Sequence, residues 1–346
     1  MLNQEAPRNM ESLHVMIISN HFEAKNKSPF MGIFVDRQIA SLKQLGVRVS
    51  TFDIGVSHSP VHIVRKWLEL RQQVRQADPD LVHGQYGTIV GLLTAFAGRS
   101  AVISFCGSDL QSGASVSGLR KLFGFLLSNI SSLYADGLIC KSEQLRQALW
   151  WRKSRTVVIP SGVDLNLFVP GLQRDARKEL HWNLENPIAV VNAGDDPGVK
   201  GIDFARKVMR FVCARIPNAE LQVISNVEPI RMPLYYQASD VLLCTSISEG
   251  SPNVVKEALA CNLPVVSTPV GDVPDRILGV SPSCIATRDV KEFGEAVVNI
   301  LLTRQRSNGR ERIIHLGLDQ VTSRILTVYQ SVLFSSSRSH PEPPLR

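Results

Sequence analysis

The sequence has few cysteines, and they are not arranged as a metal site or a disulfide framework requires. Its 346 residues include six cysteines, no two of them at C-x-x-C spacing, and most lie in apolar stretches. Scattered cysteines of this kind are typical of reduced thiols that pack as small apolar side chains. The pattern therefore predicts no zinc site and a cytoplasmic location.

Long apolar runs and common cofactor motifs are also missing. No stretch reaches about 18 uninterrupted apolar residues, the length that a transmembrane helix needs, and residues 1–12 lack the features of a signal peptide. No G-x-G-x-x-G follows the first apolar stretch, and the glycines before Lys200 have the wrong spacing for a P-loop. Residues 78–80 form a D-x-D that we interpret as a turn rather than a metal site, because a proline lies inside it. We expect neither a nicotinamide cofactor nor a metal.

Excess positive charge is confined to the first half of the chain. Residues 1–160 contain 18 Lys and Arg against 11 Asp and Glu, whereas residues 161–346 contain 20 of each. This asymmetry favours an anionic partner for the first half, although a solvated basic face without a partner is the alternative. The basic residues match no DNA- or RNA-binding motif, so we expect no nucleic acid.

Apolar strands and amphipathic helices alternate along the whole chain. Strands are predicted at residues 13–19, 47–53, 80–83 and 101–105, and again at 188–192, 221–225, 241–245 and 263–268. A segment rich in glycine and proline at 161–171 separates the two series. The pattern predicts an α/β fold with two Rossmann-like, doubly wound parallel-sheet domains, residues 1–163 and 164–334, and a frayed tail at 335–346. We expect the last helix to pack back on the first domain and the ligand to bind in the cleft between the two domains.

The most informative segment is SEGSPNVVKEALACNLPVVSTPVGDVPDRI, residues 248–277. Ser251 is a favourable N-cap and Pro252 suits the first helical position, so a helix is predicted to begin at about residue 252. The free N–H groups and positive end of a helix bind phosphate. Glu249 and Glu257 flank this turn, and carboxylates accept hydrogen bonds from sugar and ribose hydroxyls. The alternatives are a solvated helix-face charge for Glu257 and a loop or capping role for Glu249.

Several motifs agree with this segment in their order along the chain. Glu249 and Glu257 form an E-x7-E pair. The others are IPSGVD at 159–164, Lys200-Gly201, Ala238-Ser239-Asp240, Gly32-Ile33-Phe34 followed by Arg37-Gln38, and Gly107-Ser108-Asp109. With these motifs the sequence resembles the retaining glycosyltransferases of family 4 (group 1), which have the GT-B fold, and among them the bacterial surface-polysaccharide members.

This resemblance implies a function and a set of site residues. It implies transfer of a hexose or N-acetylhexosamine, with retained configuration, from a nucleotide-diphosphate sugar to a glycan or lipid-linked acceptor, in cell-surface polysaccharide or glycolipid synthesis. It assigns catalytic roles to Glu249, Lys200 and Asp109. It assigns donor binding to Glu257, Gly250, Ser251, Pro252, Asn253, Gly32 and Gly201. No metal or other cofactor is expected, because Lys200 and the helix N-terminus supply positive charge.

The sequence departs from the family pattern at three places. Asp195 stands where the family has an arginine five residues before its lysine, Cys106 stands where a histidine often precedes Gly-Ser-Asp, and a strand–helix unit is missing from residues 221–235. His83 is a substitute for that histidine or a structural residue at a strand end. Two alternatives therefore stay open: a UDP-sugar 2-epimerase of the same fold, or a degenerate, non-catalytic protein that binds a sugar nucleotide.

Basic residues share two predicted helices of the first half with large apolar residues. These helices lie at residues 62–75 and 119–126. Interfacial helices combine Lys and Arg with Trp and Leu in this way. We expect peripheral attachment to the inner face of the membrane; the alternative is that the apolar stripes pack into the domain core.

Overall fold

Two parallel β-sheets form the framework of the protein in the computed structural model, which describes residues 13–22, 32–55, 57, 59–110, 118–194 and 196–339. The strands of the first sheet are β1 (His14–Ser19), β2 (Arg48–Asp53), β3 (Leu81–Gln85), β4 (Ser100–Phe105), β5 (Gly137–Cys140) and β6 (Thr156–Val158). They lie in the order β2-β1-β3-β4-β5-β6, and every pair is parallel. The helices around this sheet are α1 (Ile33–Gln44), α2 (Pro60–Ala77), α3 (Ile89–Ala95), α4 (Gly118–Tyr134) and α5 (Glu143–Ala148).

The second sheet has five parallel strands. They are β7 (Ile188–Asn192), β8 (Glu220–Ile224), β9 (Val241–Cys244), β10 (Val265–Ser267) and β11 (Cys284–Ile285), in the order β11-β10-β9-β7-β8. The helices of this domain are α6 (Gln173–Glu179), α7 (Ile202–Cys213), α8 (Met232–Ala238), α9 (Asn253–Ala260), α10 (Val273–Ile277), α11 (Val290–Thr303) and α12 (Gly309–Ile313). The predicted fold class, two parallel-sheet α/β domains, is confirmed.

The strand order places the ligand-binding edge of each domain. In both sheets the strand order reverses beside the first strand of the domain, between β1 and β3 and between β7 and β9. A crevice opens at such a switch point, outside the carboxyl ends of the strands. All six residues of β1 are buried, as expected for a strand covered by helices on both faces. The apolar stretches therefore act as scaffolding, and the loops that follow them carry the site.

The last helix, α13 (Leu318–Ser339), returns to the first domain. The Thr322 hydroxyl donates a hydrogen bond to the Ser41 hydroxyl at 2.8 Å, and the Tyr329 hydroxyl lies 2.5 Å from Nδ1 of His83. The helix continues through Ser339, five residues into the segment predicted as a frayed tail, and residues 340–346 lie outside the described residues.

His83 joins this helix to the middle of the first sheet. Its Nε2 lies 2.8 Å from the Ser104 hydroxyl, and burial lowers the pKa of the imidazole to about 3. A neutral imidazole has one donor and one acceptor nitrogen, and the two hydroxyls use both. Of the two interpretations offered by the sequence, the structure supports a structural histidine.

The chain crosses between the two domains twice, and the two crossing segments lie side by side. The chain passes from the first domain to the second through residues 159–168 and returns through residues 314–318. The Val163 N–H donates to the Leu316 carbonyl at 2.9 Å, and the Leu318 N–H donates to the Val163 carbonyl at 3.1 Å. The segment at 161–171 predicted to separate the domains begins at this contact.

Candidate active site

A cavity of about 320 Å³ lies between the two domains, at the carboxyl ends of both sheets. Its wall combines loops from both halves of the chain. The first domain contributes Gly32, Ile33, Phe34, Arg37, Tyr86, Cys106 and Ser161; the second contributes Asn192, Gly194, Lys200, residues 224–227, Pro229, Met232, residues 249–254 and Glu257. Eight of the ten predicted site residues line it, which places the E-x7-E segment in the interdomain cleft.

The N-terminus of α9 differs by one position from the prediction. Pro252 is the N-cap residue and the helix begins at Asn253, whereas Ser251 was expected to cap it. The Ser251 hydroxyl instead donates to Oδ2 of Asp272 at 2.8 Å. Among the described residues no side chain caps α9, and Asn253 and Val254 lie at the cavity wall. The first N–H groups of the helix are therefore available to an anion in the cavity.

Glu249 forms an ion pair with the predicted phosphate-binding lysine. Nζ of Lys200 lies 2.6 Å from Oε1 of Glu249, and the Ser246 hydroxyl donates to the same oxygen at 2.8 Å. Both charged side chains are largely buried. The pair brings together two residues that the sequence assigned to catalysis, 49 positions apart.

Glu257 is held between the two domains. Nη1 of Arg37 donates to Oε1 of Glu257 at 2.7 Å, and the Tyr236 hydroxyl donates to Oε2 at 3.1 Å. The Arg37 guanidinium also lies over the Phe168 ring, 5.4 Å from its centroid. Only 14% of the Arg37 side chain and 8% of the Glu257 side chain are exposed, so Glu257 is not a solvated helix-face charge. The sequence shows Arg37 only as part of an Arg37-Gln38 motif, and that motif does not indicate Glu257 as its partner.

The loops after β4 and β9 approach each other closely across the domain boundary. A Cβ placed on Gly250 would lie 2.2 Å from the Cys106 carbonyl oxygen, and one on Gly107 would lie 3.3 Å from the Gly250 nitrogen. Cys106 lines the cavity in place of the expected histidine. Burial and the Asp109 carboxylate raise the pKa of the Cys106 thiol to about 12, so the thiol is neutral near pH 7.

Asp109, which was predicted to be catalytic, is buried and is not among the residues that line the cavity. Its carboxylate accepts hydrogen bonds from the N–H groups of Gly87 at 2.9 Å, Gly107 at 2.8 Å and Cys106 at 3.0 Å. Only 2% of the residue is exposed, and it does not line the cavity. This placement indicates that Asp109 holds the loops after β3 and β4 rather than touching a substrate.

Two predicted glycines have different placements. Gly32 is the N-cap residue of α1, with φ of 77°, and it lines the cavity; a Cβ on it would lie 2.7 Å from Cβ of His21. Gly201 is the N-cap residue of α7, with φ of 70°, and it is not among the residues that line the cavity; a Cβ on it would lie 2.2 Å from the Thr245 carbonyl oxygen. Gly201 therefore permits close packing behind Lys200.

Asp78 ends α2 in the left-handed region, with φ of 45°, and pairs with Arg99. The Asp80 carboxylate accepts a hydrogen bond from the His14 N–H at 2.8 Å. Their D-x-D is thus a turn, as interpreted from the sequence. Within the described part of the chain, no three His, Cys, Asp or Glu side chains are grouped to hold a metal ion. Asp195 lies outside the described residues.

The arrangement of two parallel-sheet domains matches solved structures of the GT-B type. Sucrose-phosphate synthase from Thermosynechococcus elongatus superimposes with a TM-score of 0.75 at 19% identity, over 94% of this chain and 100% of that one. HepE from Anabaena in complex with UDP gives 0.68 at 16% identity, over 92% and 100%. At these identities the likeness establishes the fold class.

Two family models match the chain in succession and identify its family. Residues 17–167 match the model described as Glycosyltransferase Family 4, and residues 176–303 match Glycosyl transferases group 1. The chain therefore belongs to the family 4, group 1 glycosyltransferases. A D-inositol 3-phosphate glycosyltransferase from Segniliparus rotundus is 27% identical over 192 residues, which are 46% of this chain and 42% of that protein. The chain spans about half the length of the curated relatives it matches.

Proposed function

We propose that the protein is a retaining glycosyltransferase that moves a sugar from a nucleotide-diphosphate donor to a glycan or lipid-linked acceptor. One observation carries the proposal: the interdomain cavity contains both acids of the E-x7-E pair, each bonded to a cation, beside an uncapped helix N-terminus. A nucleotide-diphosphate sugar requires such a combination, with cations and N–H groups for the diphosphate and carboxylates for hydroxyls.

Different residues of the site bind different parts of the donor. We assign the diphosphate to Lys200 and the N-terminus of α9, with the backbone of Gly250, Ser251, Pro252 and Asn253 beside it. Glu249 contacts the donor sugar near its reacting carbon, and Glu257 accepts hydrogen bonds from the ribose. Each carboxylate oxygen has two lone pairs, so Glu257 can keep Arg37 and Tyr236 while it binds a hydroxyl.

The chemistry follows from this division. Transfer passes through a transition state that resembles an oxocarbenium ion, and negative charge develops on the departing diphosphate. Lys200 and the helix N-terminus stabilise that charge, while the two domains hold donor and acceptor in contact. In this proposal the leaving phosphate receives the acceptor proton, and no metal takes part. Addition of EDTA should then leave the transfer rate unchanged.

A thermal-shift panel of UDP-, GDP- and ADP-sugars tests donor binding first. The solved Anabaena neighbour contains UDP, so UDP-glucose is the first donor to test. The donor should raise the Tm, and Glu249→Ala should abolish transfer without unfolding the protein. Glu295→Ala is the matched control, because Glu295 pairs with Arg215 on the protein surface. Full transfer by the Glu249→Ala variant would contradict the proposal.

Cys106 favours a second candidate, a degenerate protein that binds a sugar nucleotide without transferring the sugar. A thiol that is neutral near pH 7 cannot replace an ionisable histidine at this position. Under this candidate, donor binding persists, no transfer occurs, and Glu249→Ala leaves the biological function intact. A 2-epimerase is distinguished by incubation with UDP-GlcNAc alone, since it forms product without an acceptor.

The acceptor and the biological role are part of the same proposal. The curated relatives are named for D-inositol 3-phosphate, so this phosphorylated cyclitol is a defined acceptor to test beside lipid-linked glycans. We propose a role in cell-surface polysaccharide or glycolipid synthesis. Transfer to a lipid-linked glycan, with none to the inositol phosphate, is the expected result.

We also propose that the first domain attaches to an anionic membrane surface from the cytoplasmic side. One stripe of α2 packs into the core through Leu70 and Val74, but Val61, Val64 and Leu68 are exposed on another. Further exposed apolar side chains lie on and near α4: Leu122, Phe123, Trp150 and Trp151. None of the helices among the described residues has the length and apolarity that a membrane crossing needs. Flotation with anionic vesicles should show binding that decreases with salt; no binding at low salt would contradict the proposal.

A further inference from the structure

Lys256 is a buried lysine that the functional assignments so far do not use. It lies in the first half of α9, and its side chain has no exposed surface. Nζ donates to the Ser251 hydroxyl at 2.8 Å and to the Ser251 carbonyl at 3.2 Å. Ser251 in turn donates to Oδ2 of Asp272. The chain of bonds fixes the residue that immediately precedes the cap of α9, and Ser251 is itself part of the cavity wall.

A cation at this place is electrostatically unfavourable in the free protein. The N-terminus of a helix carries partial positive charge, which disfavours a lysine there. Burying an ammonium group adds a desolvation cost of several kcal/mol. Residues that violate such rules are expected at functional or strained sites.

The charges around Lys256 do not fully compensate it. Among the negative groups, the Asp272 carboxylate has the largest effect on Lys256, but it also lies 3.3 Å from the Arg276 guanidinium. Glu257, the next residue on α9, pairs with Arg37. From the first domain, the buried Lys141 ammonium acts on Lys256 as a second positive charge. Positive charge therefore exceeds negative charge in this part of the wall.

We propose that Lys256 is a positioning residue for the donor diphosphate: it fixes Ser251 at the turn before α9 and places a buried positive charge behind the phosphates. The inference rests on the proposed function, because it needs a nucleoside diphosphate in the cavity.

The charge state of Lys256 changes close to neutral pH. Burial, the principal cause, lowers the pKa of its ammonium group to about 8, with Lys141 and Arg276 acting in the same direction and Asp272 and Glu257 opposing them. A bound diphosphate favours the charged form, so affinity for it decreases as the pH rises through 8. The charge of the diphosphate is constant in that range, because its last pKa is about 6.

The experiment compares nucleoside diphosphates with their nucleosides. Calorimetry on the full chain at pH 7 and pH 9 uses UDP, GDP and ADP, each beside uridine, guanosine or adenosine. Lys256→Met should weaken diphosphate binding about ten- to a hundredfold and leave nucleoside binding unchanged. Lys256→Arg should restore diphosphate binding and remove its pH dependence, since arginine stays charged. Lys207→Met, at an exposed lysine of α7, controls for the loss of one charge.

Each outcome decides a different claim. If the wild-type protein binds none of these nucleotides, the proposed function fails and this inference fails with it. If the wild-type protein binds a diphosphate and Lys256→Met weakens diphosphate and nucleoside equally, Lys256 is only structural. The comparison of pH 7 with pH 9 can be made on the wild-type protein alone. If the ratio of its affinities for the diphosphate and the nucleoside is the same at both pH values, the inference is overturned.

Discussion

Arg37 on α1 and Glu257 on α9, 220 positions apart in the chain, form a 2.7 Å ion pair across the interdomain cavity. Each domain therefore contributes one half of a single charged unit at the place assigned to the nucleotide ribose. A group that binds Glu257 also acts on the first domain through Arg37. This links occupation of the nucleotide site to the relative position of the two domains.

A double-mutant cycle on this pair should measure the link. Arg37→Met leaves a largely buried carboxylate with Tyr236 alone, and Glu257→Gln leaves a largely buried guanidinium, so each should lower the Tm. The double variant should be less unstable than the sum of the two, with a coupling of about 1–3 kcal/mol in the free energy of unfolding. Additive effects would contradict the link. Arg206→Ala, which removes an exposed pair with Asp203, should change stability by less than about 0.5 kcal/mol.

Gly250→Ala should separate stability from activity. The new methyl group would lie 2.2 Å from the Cys106 carbonyl oxygen, so the two facing loops must move apart. A displacement of about 1 Å can reduce a reaction rate a hundredfold, and we expect kcat to fall at least tenfold with the fold intact. Gly118→Ala is the control, because no atom of the described residues lies within 4 Å of its added Cβ. A Gly250→Ala variant with wild-type kcat would show that this contact opens during turnover.

Asp109→Asn tests whether the Asp109 carboxylate holds the loops after β3 and β4 in place. The amide has one acceptor oxygen, and its NH2 group would face backbone N–H donors that the carboxylate now accepts. We expect the free energy of unfolding to fall by about 1–3 kcal/mol, measured with urea. Transfer should slow while the Kd for a nucleoside diphosphate stays constant, because Asp109 does not line the cavity. A large rise in that Kd would contradict this role and show that Asp109 affects donor binding.

His83 should make the fold sensitive to acid. Its pKa is about 3 in the folded chain and about 6.5 in the unfolded chain, so below pH 6.5 the unfolded chain binds a proton that the folded chain does not. This contribution to stability is complete above pH 6.5 and decreases as the pH falls toward 3, by up to about 1.4 kcal/mol per pH unit. Urea unfolding of His83→Gln should show lower stability at pH 7.5 but a shallower decline in acid. Equal slopes for the two proteins would contradict this role.

The fold was readable from the sequence because its strands and long helices carry clear periodic patterns. Buried parallel strands such as β1 are nearly continuous apolar runs, and α7 presents a full apolar face. The helices α3, α5 and α6 are six or seven residues long, and fewer than two turns give too little periodicity to detect. Their position depends on packing against the sheets rather than on a local pattern.

The site was readable only where its residues share one segment. The E-x7-E segment located Glu249 and Glu257 at the cavity because one loop and one helix carry both. The start of α9 was misplaced by one residue, since the Ser251 hydroxyl prefers the Asp272 carboxylate, 21 positions away, to a capping bond. Arg37 has no sequence signal for its partner, because that contact depends on how the domains meet.

The paired chain crossings at Val163 and Leu316 constrain how the two domains can move apart. Two strands of chain bonded side by side resist sliding and shear, while they tolerate bending about the line on which they lie. The two domains should therefore move by hinge bending about this line, and the displacement should be largest at the edge farthest from it. Truncation of the chain before α13 would remove one side of this paired crossing and would expose the surface of the first domain that Tyr329 covers. The truncated protein should therefore be unstable.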